Sequence, residues 1–170
     1  MDTGRGERAS TDVQALFRSQ YLGLVRLAMR LVDDQESAED LVQDVFVGLA
    51  GRRAVLDDPV RYLYGAVVNR SRSVLRRRQV ARVFLARTRV QGAGEPADAS
   101  SLHHADRQQM LHAIARLPHR QREVVVLRYY EDLAVARIAE VLHISPGAVS
   151  SALNRALDAL AANAEDADAD

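Results

Sequence analysis

This chain of 170 residues contains no cysteine, no tryptophan and no lysine. Without cysteine there are no disulfides, no thiolate nucleophile and none of the usual zinc ligands of small domains. Only five Tyr and three Phe are present, so any core must be aliphatic. No apolar run approaches the roughly 18 residues of a membrane span, and the start, MDTGRGERASTD, lacks the apolar stretch of a signal peptide. A cytoplasmic protein without membrane insertion is expected. No nucleophile with a base and an orienting group stands out, and no phosphate-cradling glycine loop, so neither an enzyme nor a cofactor is expected. His103, His104 and His112 lack Cys or carboxylates arranged around them and read as surface residues, not as a metal cluster.

What is present is helix-forming: Ala, Leu, Val and Arg dominate, and the length suits one ordinary domain or two small ones. The net charge of zero hides strong segregation. Residues 1–58 carry seven Arg against eleven acids, residues 59–94 nine against none, and residues 95–170 seven against twelve. The middle stretch, with Arg61, Arg70, Arg72, Arg76, Arg77, Arg78, Arg82, Arg87 and Arg89, has no acid to answer it locally. A solvated helix face gains from opposite charges at i,i+4 and loses a few tenths of a kcal/mol, roughly, for each like pair. A run of one sign therefore points to a partner that supplies the negative charge, and a phosphate backbone is the usual one.

Residues 1–12 are polar and read as a disordered start. Apolar residues at helical spacing from Val13 predict a first helix to about Val32, and Asp33-Asp34 can cap a second, about Gln35 to Ala50, that buries Ala38, Leu41, Val42, Val45, Phe46 and Leu49. Asp58-Pro59 offers an N-cap followed by a first-turn proline, so the basic helix starts there. Val60, Leu63, Val67, Val68, Val74 and Leu75 supply its apolar stripe, and a break is expected between Arg78 and Val90. Residues 91–101 (QGAGEPADASS) have almost nothing to bury and read as a flexible linker. This linker predicts two domains whose relative position is set by a partner. Helices are then expected over about 102–117, 120–130, 135–142 and 146–161, the last opened by Ser145-Pro146 and burying Val149, Leu153, Ala156, Leu157 and Leu160. Short helix, tight turn, capped helix is the punctuation of a helix-turn-helix. Residues 163–170 form an acidic tail. The fold class is all-α: two small helical domains, about 13–90 and 102–162, of about four helices each.

From about residue 13 to 161 the chain resembles the extracytoplasmic-function, or group IV, sigma factors of the sigma-70 family of bacterial RNA polymerase. In the first half the resemblance rests on Ala38-Glu39-Asp40-Leu41-Val42-Gln43-Asp44-Val45-Phe46 and on Tyr62-Leu63-Tyr64 followed by Asn69-Arg70. In the second it rests on Leu117-Pro118, Gln121-Arg122-Glu123-Val124, Leu127-Arg128-Tyr129-Tyr130, Ile138-Ala139-Glu140, Ile144-Ser145-Pro146-Gly147 and Arg155-Ala156-Leu157. It implies sigma domain 2 in front and sigma domain 4 behind. Asp40, Leu41, Gln43, Asp44 and Phe46 would then meet the largest-subunit clamp of core RNA polymerase. Arg52, Arg53, Tyr62, Asn69, Arg70, Ser73, Arg76 and Arg77 would meet minus-10 DNA, Tyr62 by stacking and Asn69 by hydrogen bonds. Ser145, Gly147, Ala148, Ser150, Ser151, Asn154 and Arg155 would meet minus-35 DNA, with the polymerase flap nearby. The partners implied are core polymerase, promoter DNA and an anti-sigma factor.

The chain departs from that pattern at five places. The family commonly has Thr at Ala148, basic residues at Ser150 and Ala152, Glu at Arg137 and Gly at His143. Two other readings fit the same residues. One is a stand-alone helix-turn-helix regulator of duplex DNA. The other is a sigma-like factor that binds polymerase with reduced DNA reading, motivated by the thinly charged recognition helix and by the acidic tail; residues 106–170 carry seven Arg against ten acids, an odd balance for an autonomous DNA binder.

Overall fold

The computed structural model describes the backbone of residues 3–32, 34–52, 56–88 and 102–168, and side chains within 13–32, 34–52, 56–80 and 109–163. The linker expected at 91–101 lies outside the described residues. Seven helices are found among the described residues: α1 (Thr3–Val32), α2 (Gln35–Ala50), α3 (Pro59–Thr88), α4 (Leu102–Arg116), α5 (His119–Tyr129), α6 (Val135–Leu142) and α7 (Pro146–Asp168).

The punctuation read from sequence is realised in hydrogen bonds. The Asp34 carboxylate accepts from the Ser37 amide at 2.8 Å and opens α2; Asp58 accepts from the Arg61 amide at 2.8 Å ahead of Pro59 and opens α3. The Ser145 hydroxyl oxygen accepts from the Ala148 amide at 3.1 Å and opens α7. Helix α6 ends on His143 in the left-handed region, φ 53° and ψ 49°, the place where glycine carries no Cβ penalty.

Three helices outrun their expected ends. The backbone of α1 is helical from Thr3, where a disordered start was expected, because extending an existing helix adds one hydrogen bond per residue fixed. By the same logic α7 runs on to Asp168 through an Ala-rich segment. Helix α3 continues unbroken to Thr88, so the front half contributes three described helices and not about four. No proline or glycine interrupts it after Gly65.

Leu24, Leu27, Ala28 and Leu31 of α1 pack with Leu41, Val42 and Val45 of α2 and with Leu63, Val67 and Val68 of α3, all buried. Each such Leu or Val contributes about 1.5–3 kcal/mol. In the second unit, Val149, Ala152, Leu153 and Ala156 of α7 form the buried stripe, while Leu157, expected inside, is exposed. Helix α5 is the surprise: six consecutive residues, Arg122 to Leu127, are buried. A helix covered on all sides lies between layers, and here α7 lies on one side and α1 of the first unit on another.

The two units therefore touch, against the expectation that only a partner would set their relation. Arg72 of α3 forks both oxygens of Glu123, whose side chain is 3% exposed, and its Nη2 lies 2.6 Å from Oε2. The carboxylate is buried while the Arg72 guanidinium stays one-third exposed, and Arg120 reaches the same carboxylate at 3.2 Å. Arg122 donates to the Leu31 carbonyl at the end of α1 at 3.1 Å. Tyr64 donates its hydroxyl to Glu131 at 3.0 Å, Arg137 pairs with Asp58 at 2.6 Å, and the Arg30 guanidinium lies 4.2 Å from the centre of the Tyr130 ring. A Cβ on Gly65 would come within 3.3 Å of the Val141 carbonyl oxygen, which explains a glycine where alanine would favour the helix by about 0.5–1 kcal/mol.

Candidate nucleic-acid interface

Helix α3 organises the site. Its arginines looked unopposed because sequence separates them from their acids; folding supplies those acids from other helices. Arg70 pairs with Asp44 of α2 at 2.8 Å, Arg72 with Glu123, and Arg78 with Asp34, the Ser37 hydroxyl and, at 2.7 Å, the Val32 carbonyl. Arg78 is thus the clasp of the α1–α2 corner. Burial alone would push the Asp34 carboxyl up, but hydrogen bonds from the Ser37 amide, Arg78 and the Ser37 hydroxyl outweigh it and hold the carboxyl below its ordinary value. Arg76 and Arg77 are exposed, and no ion pair joins them to an acid among the described residues.

A cleft of about 460 Å³ runs along α3. Tyr62, Ala66, Asn69 and Arg70 form one wall, Leu56, Asp57 and Asp58 close one end, and Glu140, Val141 and His143 of the second unit form the other wall. Asn69 and Arg70 are exposed while Tyr62 is half-buried, with the Arg52 guanidinium 4.8 Å from the centre of its ring. The Asn69 side-chain carbonyl accepts from Arg72 at 3.1 Å, and Ser73 donates to the Asn69 backbone carbonyl at 3.3 Å. Flat aromatic, amide and guanidinium thus share one wall, the chemistry by which unpaired bases are stacked and bonded. Asp58 at the end of the cleft is held below its ordinary value by the Arg61 amide first and then by Arg137. Arg53 lies outside the described residues.

On α2, Asp40, Gln43 and Asp44 are exposed on one face, with Val47 in line beside them. Leu41 and Phe46, expected at the same interface, are only 4% and 5% exposed. The helical period turns them inward, where the Phe46 ring meets Phe17 edge-on at 5.0 Å. On α7, Ser145, Gly147, Ala148, Ser150, Ser151, Asn154 and Arg155 are all exposed on the surface of the helix-turn-helix. Ala152 is 1% exposed and belongs to the core stripe, whereas Ser150 is exposed.

The sequence of the front unit matches the description Sigma-70 region 2 over residues 16–80, and that of the back unit matches Sigma-70, region 4 over residues 107–160. Among curated relatives, the RNA polymerase sigma-E factor of Streptomyces coelicolor is 33% identical over 82% of this chain and 78% of its own length. The ECF RNA polymerase sigma factor SigL of Mycobacterium tuberculosis is 30% identical over 87% of this chain and 86% of its own. The chain belongs to the extracytoplasmic-function sigma factors of the sigma-70 family. As such it directs RNA polymerase to promoters. The fold agrees: the sigma factor RpoE of Bartonella quintana, solved with the anti-sigma factor NepR, superposes with a TM-score of 0.70 at 22% identity, covering 91% of this chain and 97% of that one. CnrH, solved with the cytosolic domain of CnrY, gives 0.67 at 23% identity over 95% of both chains. In this sigma factor no helix is long and apolar enough to cross a membrane among the described residues.

Sequence reasoning missed the residues that join the sigma factor's two units: Tyr64, Arg72, Arg122, Glu123, Glu131 and Arg137. Two signals were available. Gly65 interrupts an otherwise good helix without a turn to justify it, and Glu123-Val124-Val125-Val126-Leu127 is too apolar for a helix with one wet face.

Proposed function

We propose that this sigma factor divides its work among three exposed faces. Asp40, Gln43 and Asp44 of α2 meet a basic surface on the clamp of core polymerase. Tyr62, Asn69 and Arg70 hold bases of the melted minus-10 strand while Arg76 and Arg77 hold its phosphates, with Arg52, Arg53 and Ser73 at the margins. The exposed residues of α7 meet minus-35 duplex in the major groove. The carrying observation is the wall of the α3 cleft, where an aromatic ring, an amide and a guanidinium lie together, with the exposed Arg76 and Arg77 further along the same helix. Melting then needs no covalent chemistry: captured bases gain about 1–3 kcal/mol each from stacking, which offsets the loss of pairing. The protein works in the cytoplasm without catalysing a reaction. An anti-sigma factor is a fitting further partner, since RpoE of Bartonella quintana was solved with one.

The direct test is binding to core polymerase. Asp40→Arg with Gln43→Arg reverses the α2 face without touching the core or α3, and a loss of core affinity without any loss of DNA binding is expected, since the added positive charge can only favour DNA. Unchanged core affinity overturns the assignment of α2. A second reading, polymerase binding with reduced minus-35 reading, is favoured by the surface of α7, where Arg155 is the single charged residue among the seven expected contacts.

A further inference from the structure

Asn69 is the side chain on the α3 wall whose hydrogen-bonding capacity is only part used. Tyr62, Ala66 and Asn69 fall at i, i+4 and i+7 on one stripe of the helix, and all three line the cleft. Three residues on from Asn69, where side chains meet on a helix surface, stands Arg72. Its guanidinium is planar and rigid, so two fixed nitrogens place the third. Nε and Nη2 are turned to the two oxygens of Glu123, and Nη1 is left to donate to the Asn69 Oδ1 at 3.1 Å. A guanidinium carries donors and no acceptor. The amide atom facing it is therefore the carbonyl oxygen, and the Asn69 NH2 is turned away from Arg72. No hydrogen bond among the described residues engages that NH2, and Asn69 is exposed. The Ser73 hydroxyl, one turn on, donates to the Asn69 backbone carbonyl at 3.3 Å and does not compete for the amide.

We infer that Arg72 is a positioning residue for base capture: it holds the Asn69 amide so that its N–H donors face the cleft and select a base edge that offers carbonyl oxygens. This rests on the reading of α3 given above. An unheld Asn turns its amide over freely and suits either kind of edge, because one end accepts and the other donates. A held one discriminates. Thymine presents two carbonyl oxygens and a single ring N–H, so it accepts from the amide. The exocyclic amines of adenine and cytosine bring donor against donor, and a donor left without an acceptor loses the bond it made to water. Arg72 itself is half-buried and lies outside the lining of the cleft, so it acts through Asn69 without touching a base. The contact spans one turn of α3 and travels with that helix. The arginines of α3 thus have a further use beyond those of Arg78, which clasps a corner, and of the exposed Arg76 and Arg77: Arg72 aims a neighbour.

The test uses the full chain and two fluorescent single-stranded probes of equal length. One is oligothymidylate; in the other, difluorotoluene keeps the shape of thymine and puts a weakly accepting fluorine in place of each carbonyl oxygen. Both carry the same phosphates, so their affinity ratio is blind to the charge lost with an arginine. Arg72→Met removes the donor, and Arg72→Lys removes the planar fork while keeping a cation for Glu123; circular dichroism checks the fold of each. Both are expected to lower the preference for thymine by about two- to tenfold, the cost of ordering one side chain. Glu123→Gln disturbs the same ion pair but keeps an acceptor for Arg72 and leaves Nη1 in place, so it should keep the wild-type ratio. In the Asn69→Ala background, where the preference is already lost, Arg72→Met should change it no further. A wild-type ratio in Arg72→Met, or in Arg72→Lys should the former not fold, overturns the inference. So does a further fall in the Asn69→Ala background, or a fall with Glu123→Gln as large as with Arg72→Met, which would trace the effect to the ion pair. A wild-type ratio in Asn69→Ala itself overturns the reading of α3 on which the inference stands.

Discussion

Arg70 of α3 and Asp44 of α2 hold each other at 2.8 Å on the open surface. The residue assigned to DNA and the residue assigned to polymerase are thus each other's partner in the free protein. Exposed pairs of this kind contribute about 0.2–1 kcal/mol, little enough for either ligand to displace. Asp44→Asn is therefore expected to change folding stability by less than about 1 kcal/mol, to weaken core binding and to strengthen single-strand binding through the freed Arg70. Denaturant titration and the two binding isotherms check this, and parallel loss of both affinities contradicts it.

The arginines of α3 should separate into structural and ligand-binding groups. Arg78→Ala strips partners from Asp34, Ser37 and the Val32 carbonyl, an expected loss of about 2–3 kcal/mol of folding stability. Arg76→Ala and Arg77→Ala should stay within about 0.5 kcal/mol of wild type while each reduces the salt dependence of DNA binding by about one unit. Urea unfolding and binding isotherms at several salt concentrations distinguish the two groups.

That partition shows what sequence could and could not supply. Caps at Asp34, Asp58 and Ser145, the apolar stripes and the helix-turn-helix are local patterns, and they were legible. So were the exposed faces at Asp40, Gln43 and Asp44 and along α7, because a helical period fixes which residues share a side. The partners of Arg70, Arg72 and Arg78 were not legible, since each acid comes from a distant helix. The burial of Leu41 and Phe46 was not legible from the motif for a related reason: a motif recognised as a block mixes residues on the exposed face with residues turned to the core.

His143→Gly should stabilise the protein. His143 has φ 53°, a region that costs a residue with a Cβ about 1–2 kcal/mol relative to the right-handed form. Its loss is offset in part by the greater freedom of glycine when unfolded, so a net gain of up to about 1 kcal/mol is expected in denaturant unfolding. A loss of stability would show that the imidazole makes a contact that holds the turn.

The contact between Tyr64 and Glu131 gives a pH signature. Burial, then the Glu131 charge and hydrogen bond, push the Tyr64 hydroxyl up from 10.0 to about 12. A group raised on folding contributes stability that is present below its unfolded value and lost as pH rises through the folded one. Stability should therefore fall from about pH 10 towards 12, and Tyr64→Phe should flatten that limb. Burial raises Glu131 above 4.5, against the hydrogen bond from Tyr64 and the charges of Arg30 and Arg26. Its contribution grows on acidification, whereas those of Asp34 and Asp58, both lowered from 3.8, disappear as pH falls through their folded values. Glu131→Gln should remove the gain on the mildly acid side and leave the steeper acid loss.

The most direct test of the account is run-off transcription by core RNA polymerase from a GC-rich bacterium on fragmented DNA of the source genome. Wild type is compared with Asn69→Ala plus Arg70→Ala, whose folding is checked by its helical circular dichroism. Discrete transcripts with wild type that vanish in the double variant, while core binding persists, are the expected result. Transcripts that persist undiminished in the double variant would contradict the assignment of minus-10 capture to the α3 cleft, and binding to core without any transcript would contradict its working as a promoter-directing subunit on its own.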